Sequence, residues 1–542
     1  MAAISHAHVL GARWLTRAAG RNAPSEPPVV QGVLPSLLAP LIAGTLALVA
    51  VLEGWRGVDF SAQLYRIGLF HQQGLTLWDS QWYGGHWTLN YSVIFPPVAG
   101  IIGVQATEVL SAAVAAWAFD RLVVGHFGTS ARAGSMIFAA GTMVQVAIGQ
   151  LPFLLGEALA LAAIWAATRR RWRPAAVLAV ASTLASPLAG SFLVLAAAAW
   201  LLASWPQRRL ALAGLVAVAA LPVVVLTTVF PGQGAMPFSA VDFGWLLGLF
   251  LAAVALVPRW ERTLRTGAIL YVAAIVLSFV VPSSMGINIS RLGECVGAPL
   301  AACLLWPHRR LLVPAAVVPL ALLQWGPSAT SFTSRSDPST QTSYFRPLLG
   351  YLGQHDLPAA RVEIVPTARH WEAAYVAPNY PLARGWERQL DTADNPLFYT
   401  PGQLDGTSYR AWLLDNGVRY VALPDVRLDY ASVEEGRLVQ AGVPGLVPVW
   451  HDNHWRVFEV AGSTGIVDGP AQLVHMDGGN ITLDTSAPGV VLVRVRYNSR
   501  WSVADGNGCL YGTPNGWTTL VANQAGPFHL ALDHIPASTS AC

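Results

Sequence analysis

Eleven apolar runs follow one another through the first 325 residues and constrain the fold more than any other feature. They begin with Leu34–Leu52 and end with Leu311–Trp325. A helix needs about 20 apolar residues to cross a bilayer, so the shorter runs span it only with added loop residues or as broken helices. With 54% hydrophobic and 12% charged residues, the composition is typical of a polytopic membrane protein. The sequence therefore predicts a mainly α-helical bundle of about eleven transmembrane helices.

One stretch of this pattern, residues 175–205, allows two interpretations. Ser186-Pro187 interrupts it, so it is either one bent element or a short hairpin. The loops at alternate ends of the runs carry most of the arginines, which is the positive-inside pattern. That pattern predicts a bacterial plasma-membrane protein with a cytoplasmic N-terminal tail and an extracytoplasmic C-terminal domain.

Changes in composition divide the chain into segments. Residues 1–33 are predicted to be a cytoplasmic tail, and residues 34–325 the membrane domain, whose first exported loop covers 53–93. Residues 326–345 are rich in Ser and Thr and are typical of a linker. An α/β module over 346–460 is predicted to follow, with a strand at Arg419–Leu423 and a hairpin over residues 447–460. An all-β, sandwich-like module is predicted over 461–542. Cys509 and Cys542 lie in the last module, where export permits a disulfide, although the sequence leaves their pairing open.

The first exported loop contains the two carboxylates with the clearest catalytic potential. Asp59 follows the first span closely, so it is held near the membrane surface, where a carboxylate can deprotonate a hydroxyl as general base. The alternative is a helix-capping or solvated Asp. Asp79 lies among aromatic residues whose ring faces suit sugar stacking, although an interfacial aromatic belt has the same composition. The candidate sugar- or acceptor-binding residues are Trp78, Trp82, Tyr83, His86 and Tyr91.

Three arginines lie against the positive-inside pattern and are candidates for binding a donor phosphate: Arg56, Arg66 and Arg291. A guanidinium pairs with two phosphate oxygens at once. Arg291 is also one helical turn from Glu294, so a structural ion pair is the competing interpretation. Further candidates for a supporting role are His71, Glu294 and Glu157, the last because an ionisable group inside a span faces the bundle interior or a cavity.

In the predicted α/β module, residues 384–388 form a compact polar and aromatic cluster. The cluster either reaches over the membrane site or forms a solvated surface turn. Cys-x-x-Cys, Walker-type, Gly-x-Ser-x-Gly and His-Glu-x-x-His motifs are absent from the sequence. No ligand spacing indicates a metal, so a divalent ion is neither required nor excluded, and no other cofactor or nucleic-acid partner is indicated.

The first loop resembles that of the GT-C class of integral-membrane glycosyltransferases. The resemblance rests on Asp59, on Gly74 with Trp78, and on Tyr91 with Pro96. It implies a GT-C-like helical bundle, a catalytic base at Asp59 and, less directly, at Asp79. Many enzymes of this class carry two adjacent acids in the loop, whereas Asp59 stands between Val58 and Phe60.

The lengths of the loops give a second, independent argument about substrate. The predicted cytoplasmic loops are too short to hold a nucleotide-sugar domain, and the large domain lies on the other side, so a donor must come from the bilayer. The sequence thus favours a glycosyltransferase that uses a polyprenyl-phosphate sugar to modify a cell-envelope glycan or glycolipid. The alternatives are a transporter or flippase of a lipid-linked saccharide, and a non-catalytic scaffold that binds envelope glycan.

Overall fold

The computed structural model describes residues 33–204, 209–232, 234–306, 310–355, 359–533 and 542. Met1–Leu38 and Ala39–Cys542 are separate compact units. The predicted cytoplasmic tail therefore lies outside the described residues, apart from Val33. Because Ala39–Cys542 is one unit, the divisions predicted at 326, 346 and 461 are changes of architecture within a single body.

The membrane half is built from helices that follow the apolar runs. Gly103, at φ 91°, divides the predicted run Ile94–Phe119 into two helices. Ser186 is extended and caps the next helix through a bond from Ala189 N, so the described part of residues 175–205 forms two helices and not one bent element. The helices are α1 (Val33–Leu52), α2 (Phe60–Gln73), α3 (Phe95–Ile102), α4 (Val104–Phe127), α5 (Arg132–Ile148), α6 (Leu151–Thr168), α7 (Trp172–Ala185), α8 (Pro187–Ala203), α9 (Arg209–Val229), α10 (Ala240–Leu256), α11 (Arg262–Val280), α12 (Ser290–Leu305) and α13 (Val313–Trp325).

The number of helices able to cross a membrane is smaller than the number of apolar runs. Among the described residues, 6 helical segments are both long and apolar enough, and their composition supports a membrane location. The predicted count of eleven spans is thus not confirmed, because α7 and α12 have only 14 and 16 residues and three further apolar helices are also short. The 6 segments are Val104–Phe127, Thr129–Ile148, Leu151–Thr168, Arg209–Val229, Arg262–Val280 and Arg310–Ser336.

The segment predicted as a linker is a packed run of 3₁₀ turns. Gly326–Ser328, Ser331–Ser336 and Pro338–Thr340 lead directly into helix α14 (Thr342–Gly353). Small hydroxyl side chains along this run are buried, and Ser334 Oγ accepts a hydrogen bond from Arg56 N at 2.8 Å. Ser and Thr therefore serve close packing here, which the composition alone does not distinguish from a flexible tether.

The predicted α/β module is organised around a four-stranded mixed sheet in the order β3-β4-β6-β5. β3 and β4 are parallel, whereas β6 runs antiparallel to both β4 and β5, as the predicted hairpin at 447–460 requires. The strands are β3 (Arg361–Ile364), β4 (Val418–Pro424), β5 (Leu446–His451) and β6 (Trp455–Val460), with helices α15 (Glu372–Tyr375), α16 (Arg388–Asp394), α17 (Gly406–Asp415) and α18 (Val433–Ala441).

The C-terminal module consists of two four-stranded antiparallel sheets, in the orders β12-β13-β10-β7 and β11-β14-β9-β8. Alternating buried positions such as Val491, Val493 and Val495 face the space between them. Cys509 and Cys542 are joined by a disulfide. The strands are β7 (Val467–Asp468), β8 (Ala471–Met476), β9 (Asn480–Thr485), β10 (Gly489–Arg496), β11 (Trp501–Asp505), β12 (Gly508–Gly512), β13 (Trp517–Ala522) and β14 (Gly526–Leu532).

The first loop connects the helical half to both C-terminal modules. Its short hairpin, β1 (Trp78–Asp79) with β2 (His86–Trp87), lies between them. Arg496 N donates to Gly84 O at 2.8 Å, and Leu382 N donates to Gln81 O at 2.8 Å. The start of the same loop also contacts the α/β module, because Trp386 Nε1 donates to Val58 O beside Asp59.

Candidate functional site

The backbone around Asp59 is held against the end of helix α5. Gly57 N donates to Ala147 O at 2.9 Å and Asp59 N donates to Ile148 O at 3.0 Å, so two otherwise unpaired C-terminal carbonyls of α5 are satisfied. A Cβ at Gly57 would lie 2.5 Å from Ile148 Cα, which explains glycine there. Asp59 is thus positioned by main-chain contacts that leave its carboxylate available.

The carboxylate of Asp59 does not cap the helix that it precedes. Asp59 occupies the N-cap position of α2 without a side-chain hydrogen bond to the helix. Instead, Oδ2 lies 3.7 Å from Arg291 Nη2, and the two side chains are 11% and 20% exposed. Burial raises the pKa of Asp59, while the charges of Arg291, Arg66 and His370 oppose that rise. The arrangement is a nearly buried acid surrounded by cations, with a small opening.

The three candidate phosphate arginines have different environments. Arg66 is buried in an ion pair with Glu387, and its guanidinium covers the ring of Tyr91 at 3.8 Å. The guanidinium of Arg56 lies about 6 Å from the rings of Phe60 and Trp371. Arg291 pairs with Asp59, whereas Glu294 accepts from Ser290 Oγ at 2.6 Å. Arg291 is therefore the arginine best placed to meet a ligand beside Asp59.

Residues 384–388 reach the site and do not form a solvated turn. Trp386 Nε1 donates to Val58 O at 2.8 Å, directly beside Asp59. Glu387 pairs with Arg66, and its backbone carbonyl accepts from Tyr83 Oη at 3.0 Å. Arg384 is buried in a separate network with Asp391 and Glu435. The α/β module thus covers one side of Asp59 through a polar and aromatic segment.

His370 is a site residue that sequence reasoning missed. Its backbone is left-handed, with φ 53°, which is uncommon outside glycine. The ring nitrogens lie 3.3 Å from Glu372 and 3.3 Å from Asp429. Burial disfavours the charged ring, but the hydrogen bonds to these carboxylates outweigh it and raise the pKa of His370 to about 9. Near neutral pH His370 is a cation, and its charge opposes the rise in the pKa of Asp59. The polar and aromatic run Arg369-His370-Trp371-Glu372 was the sequence feature that could have identified it.

The aromatic residues in the middle of the loop do not present free ring faces. Tyr65 and His86 stack on Trp82, with ring centroids at 4.4 and 5.4 Å. Trp78 packs edge-on against Trp87 and Trp501, inside the C-terminal sandwich contact. Trp78, Trp82 and Tyr83 are all buried. These residues pack the loop against the C-terminal modules, because burying aromatic surface stabilises that junction, and their role as sugar-stacking residues stays a prediction.

The other polar candidates of the loop are Asp79, His86 and Tyr91, which are buried or half-buried; among the described residues, His86 Nδ1 has no hydrogen-bond partner. Asp79 accepts from Tyr65 Oη at 2.8 Å and from Gln81 N at 3.0 Å. Burial raises its pKa to about 6, against the lowering effect of those bonds. Burial, with the charge of Arg66, lowers the pKa of His86 to about 3, so that ring is neutral. Tyr91 is half-buried under Arg66 and accepts from Gln63 Nε2 at 3.3 Å.

The candidates for a supporting role lie apart from one another. His71 is exposed at the end of α2, with Nε2 3.1 Å from Gly100 O. Glu157 lies inside α6, accepts from Gln145 Nε2 at 2.8 Å and lines a cavity of about 810 Å³ among the membrane helices. Phe153, which the guanidinium of Arg291 faces at 5.8 Å, lines the same cavity. Over the residues that the structure describes, no group of three or more His, Cys, Asp or Glu side chains is arranged to hold a metal ion.

Comparison with known proteins yields a distant structural similarity. The chain is similar to the crystal structure of ArnT from Cupriavidus metallidurans in the apo state, with 15% identity and a TM-score of 0.37. The alignment covers 77% of this chain and 98% of that one. No family model and no curated protein sequence matches. A similarity of this size leaves the function to be argued from the site itself.

Proposed function

We propose that the chain is a membrane glycosyltransferase that takes a sugar from a polyprenyl-phosphate donor. The acceptor would be a cell-envelope glycan or glycolipid on the extracytoplasmic side. The observation that carries the proposal is the pair Asp59–Arg291, 3.7 Å apart and slightly exposed, where a membrane helix meets the α/β module. A base and a phosphate-binding cation are the two groups that such a transfer requires side by side.

The reaction follows from the charges of this pair. The carboxylate of Asp59 accepts the proton of an acceptor hydroxyl while that oxygen bonds to the anomeric carbon of the donor. The bond from that carbon to the phosphate oxygen breaks, and the polyprenyl phosphate leaves with the electron pair. Arg291 stabilises the charge that develops on the phosphate, because a preorganised cation in a partly dry site acts more strongly than in water. Attack opposite the leaving group inverts the anomeric configuration.

Three features support the membrane as the source of the donor. Arg291 lies in the first turn of α12, one of the apolar helices of the bundle, so its guanidinium is at the rim of the helical half. The first loop carries the Asp59, Gly74–Trp78 and Tyr91–Pro96 pattern that resembles the GT-C class. Trp386 Nε1 donates to Val58 O directly beside Asp59, so the α/β module covers one side of the base and limits access of water to it.

The experiment is sugar transfer by Asp59→Asn in isolated membranes, supplied with radiolabelled polyprenyl-phosphate sugar. We expect a loss of about 10²- to 10⁴-fold, the usual contribution of a general base. The matched control is Asp242→Asn, which makes the same charge change at an exposed acid in the first turn of α10. Equal melting temperatures for both variants exclude misfolding. Undiminished transfer by Asp59→Asn, or an equal loss in the control, would remove Asp59 from the mechanism.

A second candidate function is transport of a lipid-linked saccharide across the membrane. The cavity of about 810 Å³ that contains Glu157 favours it, because a polar group in a large intramembrane cavity is typical of a substrate path. Purified protein in vesicles that moves labelled lipid between leaflets, without forming a glycosidic bond, would support transport. Loss of that movement in Glu157→Gln but not in Asp59→Asn would distinguish it from transfer.

A further inference from the structure

One arginine and three carboxylic acids are buried together inside the α/β module, apart from the Asp59–Arg291 pair. They come from strand β3, the segment that begins at Arg384, and helices α16 and α18; the acids are Glu363, Asp391 and Glu435, all nearly inaccessible to solvent. Asp391 accepts from Arg384 Nε at 3.0 Å and from Nη2 at 2.6 Å, and Glu435 accepts from Nη1 at 2.8 Å. The guanidinium is thus already paired with two acids.

Glu363 is the third acid, and it has no donor. Among the described residues, none donates a hydrogen bond to either of its carboxyl oxygens. Arg384 Nη1 lies 4.0 Å from Glu363 Oε1, which is beyond hydrogen-bond distance. With Asp391 and Glu435 ionised the group has a net negative charge, which an ionised Glu363 would increase. A buried carboxylate without donors is costly, and such a group takes up a proton instead.

The electrostatic surroundings favour Glu363 over its neighbour as the protonated acid. Burial raises the pKa of Glu363 well above its usual range, the charge of Glu435 adds to the rise, Arg384 opposes it, and Asp391 adds further. Burial also raises the pKa of Glu435, but Arg384 and the hydrogen bond from Tyr409 Oη, at 2.9 Å, oppose that rise. The two glutamates are within hydrogen-bond reach of each other. Glu435, Arg384, Asp391 and the phenol of Tyr409 are the charged or titratable groups that face Glu363.

This buried network anchors the segment that covers the proposed base. Arg384 begins that segment, and two residues later Trp386 Nε1 donates to Val58 O at 2.8 Å. A Cβ at Gly385, between them, would lie 2.7 Å from Trp82 Cβ, so the backbone packs tightly against the first loop. The position of Arg384 therefore fixes the backbone from which Trp386 reaches the site.

We propose that Glu363 is a positioning residue that keeps a proton in the folded protein and donates it in a hydrogen bond to Glu435. The neutral acid lets Arg384 remain paired with two carboxylates and holds Trp386 beside the base. Loss of the proton at alkaline pH adds an uncompensated buried charge, which loosens the anchor and slows sugar transfer. The effect on transfer rests on the proposed function, whereas the place of the proton does not.

The first test locates the proton by infrared difference spectroscopy of the full chain in detergent at pH 7. The spectrum of the wild type minus that of Glu363→Gln should contain the carbonyl stretch of a protonated carboxylic acid. A difference that contains only the bands of an ionised carboxylate would overturn the proposal.

The second test compares the melting temperatures of two variants with the same charge change. Glu363→Gln replaces a neutral acid by a neutral amide that still donates to Glu435, so we expect no loss of stability at pH 7. Glu435→Gln removes a carboxylate that bonds directly to Arg384, and its melting temperature should fall by about 5 °C. The wild type should also lose stability relative to Glu363→Gln as the pH rises above the usual pKa of glutamate, because only the unfolded chain releases the proton. Equal losses in the two variants would show that Glu363 is ionised and paired.

The third test is the pH profile of sugar transfer in membranes. Glu363→Gln should retain transfer to higher pH than the wild type, because the amide has no proton to lose. If both proteins lose transfer at the same pH, the positioning role is wrong. A wild type without any transfer would contradict the proposed function alone, because the infrared and melting measurements decide the place of the proton independently.

Discussion

The start and the middle of the first loop contact the same α/β module in opposite ways. At the start, Asp59 has a cationic neighbour at 3.7 Å, no capping bond and a small exposed fraction. In the middle, Asp79 accepts two hydrogen bonds and Trp82 is stacked on both faces. Full burial with two hydrogen bonds indicates a structural role for Asp79, whereas a slightly exposed acid beside cations indicates chemistry at Asp59. The start and the middle of the loop have similar amino-acid compositions, so their contacts in the structure decide which part is structural and which part indicates chemistry.

The prediction with the largest expected effect tests whether Arg66 has a structural role. Glu387→Gln leaves the buried guanidinium of Arg66 without its counter-charge, so the free energy of unfolding should fall by about 3–5 kcal/mol. The measurement is denaturant-induced unfolding of the full chain in detergent.

The matched variant is Arg66→Met/Glu387→Leu, which removes both charges. We expect it to recover most of the lost stability, because two apolar side chains of similar size avoid the desolvation cost of the ions. A loss below about 1 kcal/mol in Glu387→Gln would instead make Arg66 a free cation and return it to the candidate donor site.

The sequence predicted the helical half and the two C-terminal modules well, because their helices and strands depend on interactions between residues close together in the chain. Apolar runs, the hairpin at 447–460 and the strand near Arg419–Leu423 depend on neighbouring residues, and each has a counterpart in the structure. The number of spans was less predictable, because a helix can be apolar and yet end early at a residue such as Gly103. The periodicity of a sequence predicts that a helix forms more reliably than it predicts how long that helix is.

Within the site, sequence reasoning was limited by contacts between distant segments. It identified Asp59 and Arg291 as separate candidates, but nothing in the sequence shows that they lie 3.7 Å apart. The partner of Arg66 is 321 positions away, so its burial could not be foreseen. His370 was missed because its importance depends on Glu372, on Asp429 and on a left-handed backbone, of which only Glu372 is adjacent in the chain.

A second prediction concerns the pH dependence of stability through His370, which faces the start of the loop. Its pKa is raised from 6.5 to about 9 on folding, so the folded state binds the proton more tightly. The stabilisation is fully present below pH 6.5 and is lost as the pH rises through 9, amounting to about 3 kcal/mol. Unfolding of the full chain measured across that range should show the decline, and His370→Gln should abolish it. If the wild type and His370→Gln lose stability equally over this pH range, the loss arises from other titratable groups.

A third prediction examines how Arg291 acts on Asp59. Arg291→Gln removes the charge that most opposes the rise in the pKa of Asp59, so the acidic limb of the transfer rate should move to higher pH. The measurement is the pH profile of sugar transfer in membranes. Arg56→Gln is the control, because Arg56 is not among the charges that shift the pKa of Asp59. A limb that does not move in Arg291→Gln would mean that the titrating base is another group.

The prediction with the smallest expected effect tests whether His71 lies outside the functional site, although this residue belongs to the same region of the chain. The ring of His71 is exposed, lies beside the ring of Phe70, and places Nε2 3.1 Å from the carbonyl oxygen of Gly100 in α3. His71→Ala should therefore lower the free energy of unfolding by about 0.5 kcal/mol, the low end for a single hydrogen bond, and leave sugar transfer unchanged. Transfer and unfolding measured on one preparation suffice. If transfer fell tenfold while stability held, the ring would contribute to acceptor binding, and the functional end of the loop would extend through the whole of α2.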